Sequence, residues 1–145
     1  MLVHNIQEIT PEQLSNIKNT PAAGLLIMTN SGEFLLMRRR SDAKYYAGHW
    51  SVPSGEVDSK NLESMEMCAR REFEEETTAK IPENAKLYCF DRYFAEDRIY
   101  FLFVHKTDKK MFIKINSEHD KFGWFGKESL PEPLTPQVFD AISRI

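Results

Sequence analysis

The chain has 145 residues, 41% of them hydrophobic, and a formal net charge of −3 at pH 7, which predicts one domain with a sizeable core and leaves no room for a second. The acidic balance argues against a general nucleic-acid binder, which would carry a basic surface excess. No apolar run approaches the roughly 20 residues needed to span a bilayer, the N-terminus lacks a basic region followed by a hydrophobic stretch, and Cys68 and Cys89 read as buried thiols rather than a disulfide framework. A reduced, cytoplasmic setting is the expectation.

Along the chain, Thr10-Pro11-Glu12-Gln13 reads as a helix start, with Thr10 as N-cap, proline at the first position and Gln13 able to close a capping box. That helix ends by Pro21, so residues 1–21 are expected to be a helical extension. Ala23 to Thr29 is a continuous apolar run suited to a buried strand, Asn30-Ser31-Gly32 a hairpin turn, and Glu33 to Arg39 the return strand. Alternation puts Arg39 on the opposite face from Arg38 and Arg40. A long loop, Arg40 to His49, leads to Trp50-Ser51-Val52-Pro53-Ser54-Gly55, a short apolar strand breaking into a turn. Residues 56–61 form a polar loop before a helix expected from Leu62 to Thr78. Lys86 to Phe94 and Arg98 to His105 make a second strand pair across Ala95-Glu96-Asp97. A further strand is expected at Phe122 to Phe125, and Thr135-Pro136 caps a closing helix running to about Arg144.

The run Arg71-Glu72-Phe73-Glu74-Glu75-Glu76 carries the most chemistry. In a helix it stacks Glu72, Glu75 and Glu76 at i, i+3 and i+4 on one face. Taken alone, such a run is commonly a solvated face. As a cluster it repels itself unless a cation lies against it, and hard oxygen ligands of this kind suit Mg²⁺ or Mn²⁺. Arg71 stands one residue before Glu72 and four before Glu75, so its guanidinium can orient a carboxylate or form a plain surface ion pair. Glu63 lies eight residues before Arg71.

With the turn ahead of them, these residues resemble the signature of the Nudix hydrolases, G-x5-E-x7-R-E-U-x-E-E-x-G-U, where U is aliphatic or bulky and apolar. Gly55 takes the first glycine, Glu63 the isolated glutamate, Arg71-Glu72-Phe73 the R-E-U triplet, and Glu75-Glu76 the pair. Seven residues rather than five separate Gly55 from Glu63, Thr78 replaces the second glycine, and Ser54 stands where many members have another glycine. The extra pair lengthens the exposed loop at small entropic cost. Because a β-branched residue adopts the left-handed conformation poorly, the helix is expected to end another way, with Pro82 forcing the stop. The resemblance covers Ala23 to Pro133, although only Gly55 to Ala79 and the preceding turn are specific.

Helices between strand pairs suggest an α/β fold with helices on both sides of a mixed sheet, and the resemblance makes it a Nudix-type α/β/α sandwich. It implies a metal-dependent pyrophosphohydrolase that cleaves a nucleoside diphosphate linked to another moiety (nucleotide sugar, dinucleoside polyphosphate or nucleoside triphosphate) by water attack on phosphorus. Mg²⁺ is the implied cofactor, with Mn²⁺ as substitute, held by Glu72, Glu75, Glu76 and the carbonyl of Ser54, while Arg71 orients the carboxylates. The catalytic base is a box glutamate or Glu118, whose segment resembles the E-H-x-x-x-x-W stretch of several Nudix branches through Glu118, His119 and Trp124. Arg38 or Arg39 is expected to meet the phosphates. Tyr46 and Trp124, like Tyr45 and Trp50, stack on a base or pack at the rim, and His119 reads as a loop or packing residue. Glu63 is a structural ion-pair partner or takes a direct role. The protein is expected to be a monomer or homodimer. The alternative is a catalytically silent Nudix-like module that binds nucleotide, but such a module would be expected to lose box carboxylates, and all are present here.

Overall fold

A computed structural model describes His4–Asn5 and residues 10–145. Its centre is the apolar run that follows Pro21, which forms β2, Ala22–Thr29. The chain turns at Gly32, whose φ of 86° only glycine adopts cheaply, and returns as β3, Glu33–Arg39. Ahead of them lie β1, His4–Asn5, and α1, Pro11–Ser15, the latter with the expected Thr10–Gln13 capping box. The segment expected as a helical extension therefore also contributes a strand.

β4, Trp50–Ser51, and β5, Ser54–Glu56, are separated by Val52-Pro53 and followed by a short 3-10 turn, Ser59–Asn61. Then come α2, Met65–Thr77; β6, Tyr88–Ala95; β7, Arg98–Thr107; β8, His119–Gly126; and α3, Pro136–Arg144. All eight strands join one mixed sheet in the order β1-β6-β7-β2-β3-β4, with β5 also on β2 and β8 also on β3. β2 and β7 pair in parallel over the full length of β2, and the other strand pairs are antiparallel.

β2 and β3 diverge. They pair at Met28↔Phe34, beyond which β2 pairs with β5 through Ala22–Gly24 while β3 pairs with β4 through Met37 and Arg38. The segment Trp50–Glu56 fills the resulting gap as a wedge, tied in by the hydrogen bond from Leu25 N to Pro53 O at 3.0 Å. This wedge carries Ser54 and Gly55 to the helix.

Alternation along the strands divides the core in two. Ala23, Leu25, Ile27 and Leu35 pack with Cys68, Ala69 and Phe73 of α2. On the other face, Ala22, Leu26, Phe34 and Leu36 pack with Val138, Ala141 and Ile142 of α3. The result is the α/β/α arrangement, with α2 and α3 on opposite sides of the sheet.

The helix boundaries differ from the expected ones at both ends of α2. Leu62 lies outside it, 90% exposed, because Ser64 caps the helix by accepting Met67 N–H at 3.1 Å. At the other end Thr78 itself takes the left-handed conformation, φ 61°, with its N–H on Glu74 O at 2.9 Å. Pro82 does not force the stop. The Thr77 and Thr78 hydroxyls offset part of the strain, Thr77 Oγ1 donating to Phe73 O at 2.6 Å and accepting Ala79 N–H at 3.1 Å. The strand β8 begins at His119 rather than Phe122, extending the pairing with β3. The β6–β7 hairpin turns on Glu96 and Asp97, both at positive φ, as a two-residue connection requires.

Candidate active site

The acidic helix face is divided by depth. Glu76 is only 1% exposed and Glu72 is largely buried, both turned toward the wedge, whereas Glu75 stays at the rim. A Cβ built on Gly55 would lie 2.3 Å from Cδ of Glu72, so glycine is required here for close approach rather than for an unusual φ. Ser54 N donates to Glu76 Oε2 at 3.1 Å. With these contacts the wedge and the helix enclose two carboxylates.

Arg71 distributes its guanidinium over this cluster. Nε and Nη2 meet the two oxygens of Glu63 at 2.7 and 3.0 Å, Nη1 meets Glu72 at 2.9 Å and Glu75 at 3.2 Å, and Nη2 also reaches Glu56 O at 3.0 Å. Glu63 in turn accepts Asp58 N–H at 2.9 Å. The paired Arg71 hydrogen bonds hold Glu63 below the usual carboxylate range. In this geometry Glu63 clamps the lengthened loop to Arg71.

The remaining carboxylates are short of positive charge. Burial holds Glu76 well above the usual carboxylate range, and the nearby Glu118 and Glu72 add to it. Glu72 is also raised, chiefly by burial, despite Arg71. Two buried acids, of which Glu72 alone meets Arg71 among the described residues, are a donor set that a divalent cation would satisfy, and Glu72, Glu75, Glu76 and the Ser54 carbonyl have the oxygen chemistry for it.

Beside Glu76 lies a cavity of about 640 Å³ lined by Ser54, Gly55, Glu118 and His119 and by Arg39, Arg40, Lys44 and Arg98, with Asp42, Glu56 and Glu96 among them; Arg40 is ion-paired with Asp42 and Arg98 with Glu56. Tyr100 also lines it, and its buried hydroxyl makes no hydrogen bond among the described residues. Arg39 reaches this cavity because it lies on the α2 face of β3, with Nε anchored on Tyr45 O at 2.8 Å. Arg40 lines it too, since the strand has ended and alternation no longer applies. Arg38 instead pairs with Asp120 through two bonds of 2.8 and 3.0 Å.

Glu118 and His119 arrive here through a β-bulge. The β3–β8 register shifts between Arg38, opposite Lys121, and Arg39, opposite His119. The extra residue, Asp120, offsets the alternation by one and turns His119 toward α2. Its Nδ1 lies 3.6 Å from Glu76 Oε1. Burial, with Arg39 nearby, lowers the imidazole to about 4, so it is neutral at pH 7.

The aromatic candidates lie elsewhere. Trp124 packs against the α2-side core, Trp50 meets Phe125 edge-on at 5.3 Å, and Tyr46 sits against His49 at 5.5 Å; none of them lines the cavity. Lys44, Arg98, Tyr100 and His119 were not singled out as site residues by the sequence. Only His119 had a signal, its neighbour Glu118.

A family model described as the NUDIX domain matches residues 18–144. The fold is similar to a MutT NUDIX hydrolase from Burkholderia pseudomallei, at 28% identity and TM-score 0.69 over 88% of this chain and 98% of that one. It is similar to a MutT protein from Methanosarcina mazei Go1, at 25% identity and TM-score 0.70 over 86% and 91%. It also resembles an Ap4A hydrolase from C. elegans, at 25% identity and TM-score 0.69 over 85% and 93%. No curated protein matches the chain.

Proposed function

Since the chain belongs to the Nudix hydrolase family, we propose that it is a divalent-metal-dependent pyrophosphohydrolase acting on a nucleoside diphosphate linked to another moiety. The observation that carries this reading is the buried Glu76, with Glu72 packed behind Gly55 beside it, at a cavity that also gathers Arg39, Arg40, Lys44 and Arg98. A diphosphate in this cavity would find arginine and lysine donors as well as cation-binding oxygens.

A bound Mg²⁺ or Mn²⁺ would neutralise phosphate oxygens and acidify the attacking water. The chain's own residues do the rest. Ser54 N–H fixes one oxygen of Glu76, Arg71 sets the angle of Glu72 and Glu75, and Gly55 lets the Glu72 carboxylate lie against the wedge. Arg39, Arg40, Lys44 and Arg98 supply donors to the anionic substrate. Glu118, exposed at the cavity edge, is the group we assign to take the proton from water. The finer substrate identity among nucleotide sugars, dinucleoside polyphosphates and nucleoside triphosphates lies with the loop 40–49 and its neighbours. Both cysteines are free thiols, Cys68 buried and Cys89 exposed rather than buried as expected, and they support a reducing, cytoplasmic setting. Among the described residues no helix is long and apolar enough to cross a membrane.

The test is a nucleotide panel with Mg²⁺ in ¹⁸O-labelled water, with products identified by mass. Two phosphorylated products, one carrying the label, are expected from at least one substrate class. Tight nucleotide binding with no product from any class would make the protein a silent binding module instead.

A further inference from the structure

Glu76, Glu118 and His119 each present one ligand atom, and these atoms all lie within 4.8 Å of one another. Bonds of about 2.0–2.3 Å to a common ion place neighbouring ligand atoms about 3 to 4.5 Å apart, which the 3.6 Å between His119 Nδ1 and Glu76 Oε1 satisfies. His119 is 5% exposed, yet Nδ1 has no hydrogen-bond partner. Burying a ring nitrogen without a partner is unfavourable, and such an orphan calls for a ligand. The bulge at Asp120 is what aims it there.

We propose that Glu76, Glu118 and His119 form a cation site with an imidazole nitrogen in its coordination, and that this site takes Mn²⁺ or another first-row divalent ion in preference to Mg²⁺. The inference rests on the reading of the protein as cation-dependent. It differs from the all-oxygen set of Glu72, Glu75, Glu76 and Ser54, because imidazole suits transition metals and Mg²⁺ does not favour it. One oxygen of Glu118 suffices for the ion, leaving the other for the proton.

The experiment adds Mn²⁺ alone to the full chain and reads nitrogen coupling by pulsed electron paramagnetic resonance. A ¹⁴N modulation is expected, which becomes a ¹⁵N pattern when histidine is ¹⁵N-labelled, disappears in His119→Gln and survives in His49→Gln. Mn²⁺ that binds in a Glu76-dependent way without nitrogen coupling overturns the inference and leaves the cation-dependent reading standing. No Mn²⁺ binding by the parent chain overturns both. Where His119→Gln does not fold, the ¹⁵N pattern of the labelled chain should survive in His4→Gln, His49→Gln and His105→Gln, and its loss in any of these overturns the inference.

Discussion

Gly55→Ala should disable turnover while leaving the fold nearly untouched. The added methyl would lie 2.3 Å from Cδ and Oε1 of Glu72 and 2.6 Å from Oε2, where nonbonded atoms need about 3.5 Å. Roughly 1 Å of displacement must be found. β5 is paired with Ala22–Gly24, so the Glu72 carboxylate is the part that moves, lengthening its 2.9 Å contact with Arg71. A misplacement of about 1 Å costs on the order of 10² in rate. The backbone has no objection, since positive φ among the glycines occurs only at Gly32 and Gly48. Alanine should therefore gain about 0.4–1 kcal/mol through the unfolded chain, set against a rotamer cost of similar size in Glu72. The assay is kcat at saturating Mg²⁺ beside the thermal midpoint, for Gly55→Ala alone and in a Glu72→Ala background. In the second case alanine at 55 should cost nothing more, as expected of two changes acting through one contact. A kcat within threefold of the parent, or an equal loss in both backgrounds, would refute the steric argument.

Glu76→Gln should lower kcat by about 10² or more, and in chelator it should be more stable than the parent. Burial raises the folded pKa of Glu76 above its ordinary value of 4.5, so its favourable contribution is complete below pH 4.5 and is lost as pH rises through the folded value. The stability gap should widen from pH 4.5 upward in urea titrations; His119 shifts the opposite way, but is present in both proteins, and a flat gap would show Glu76 to be well solvated. Chelation should abolish activity and Mg²⁺ or Mn²⁺ restore it, so full turnover in excess chelator would sink the mechanism. Glu118→Gln should lower kcat at neutral pH by roughly 10² to 10⁴ with little change in KM; near-parental kcat alongside a dead Glu72→Gln would return the base to the helix. Thr78→Gly should stabilise the fold by about 0.5–1 kcal/mol, because glycine relieves the left-handed strain at some entropic cost, and a loss of stability would mean that the Thr78 hydroxyl bond to Thr77 O outweighs the strain.

Local patterns made part of this molecule readable. The β2–β3 hairpin follows from an apolar run, a turn glycine and a second apolar run, and the shared face of Glu72, Glu75 and Glu76 follows from helical spacing. What did not show was anything set by an irregularity. Leu62 counts toward an apolar helix period although it is exposed, and only the competing Ser64 cap excludes it. The bulge at Asp120 leaves no mark in composition, so His119 read as a bystander. Alternation separated Arg39 from Arg38, but choosing between them required knowing which face α2 covers. Lys44, in a loop, and Arg98, at the start of β7, reach one cavity from 54 positions apart in sequence, counting from their residue numbers, and no local pattern encodes that meeting.

The divergence of β2 and β3 gives the cavity one stiff jaw and one adaptable jaw. The wedge is stitched into the sheet on both sides, so Ser54 and Gly55 cannot shift without unpairing β2. The facing loop, residues 40–49, is tied to the sheet by backbone bonds only at its ends among the described residues, those of Arg39 with His49 and Gly48 and of Arg40 N with Glu118 O. Substitutions in the wedge should depress turnover for every substrate alike, whereas substitutions in the loop should reorder the preferences among substrates. Selectivity in this protein can then drift without disturbing the chemistry, because the two are written on opposite jaws.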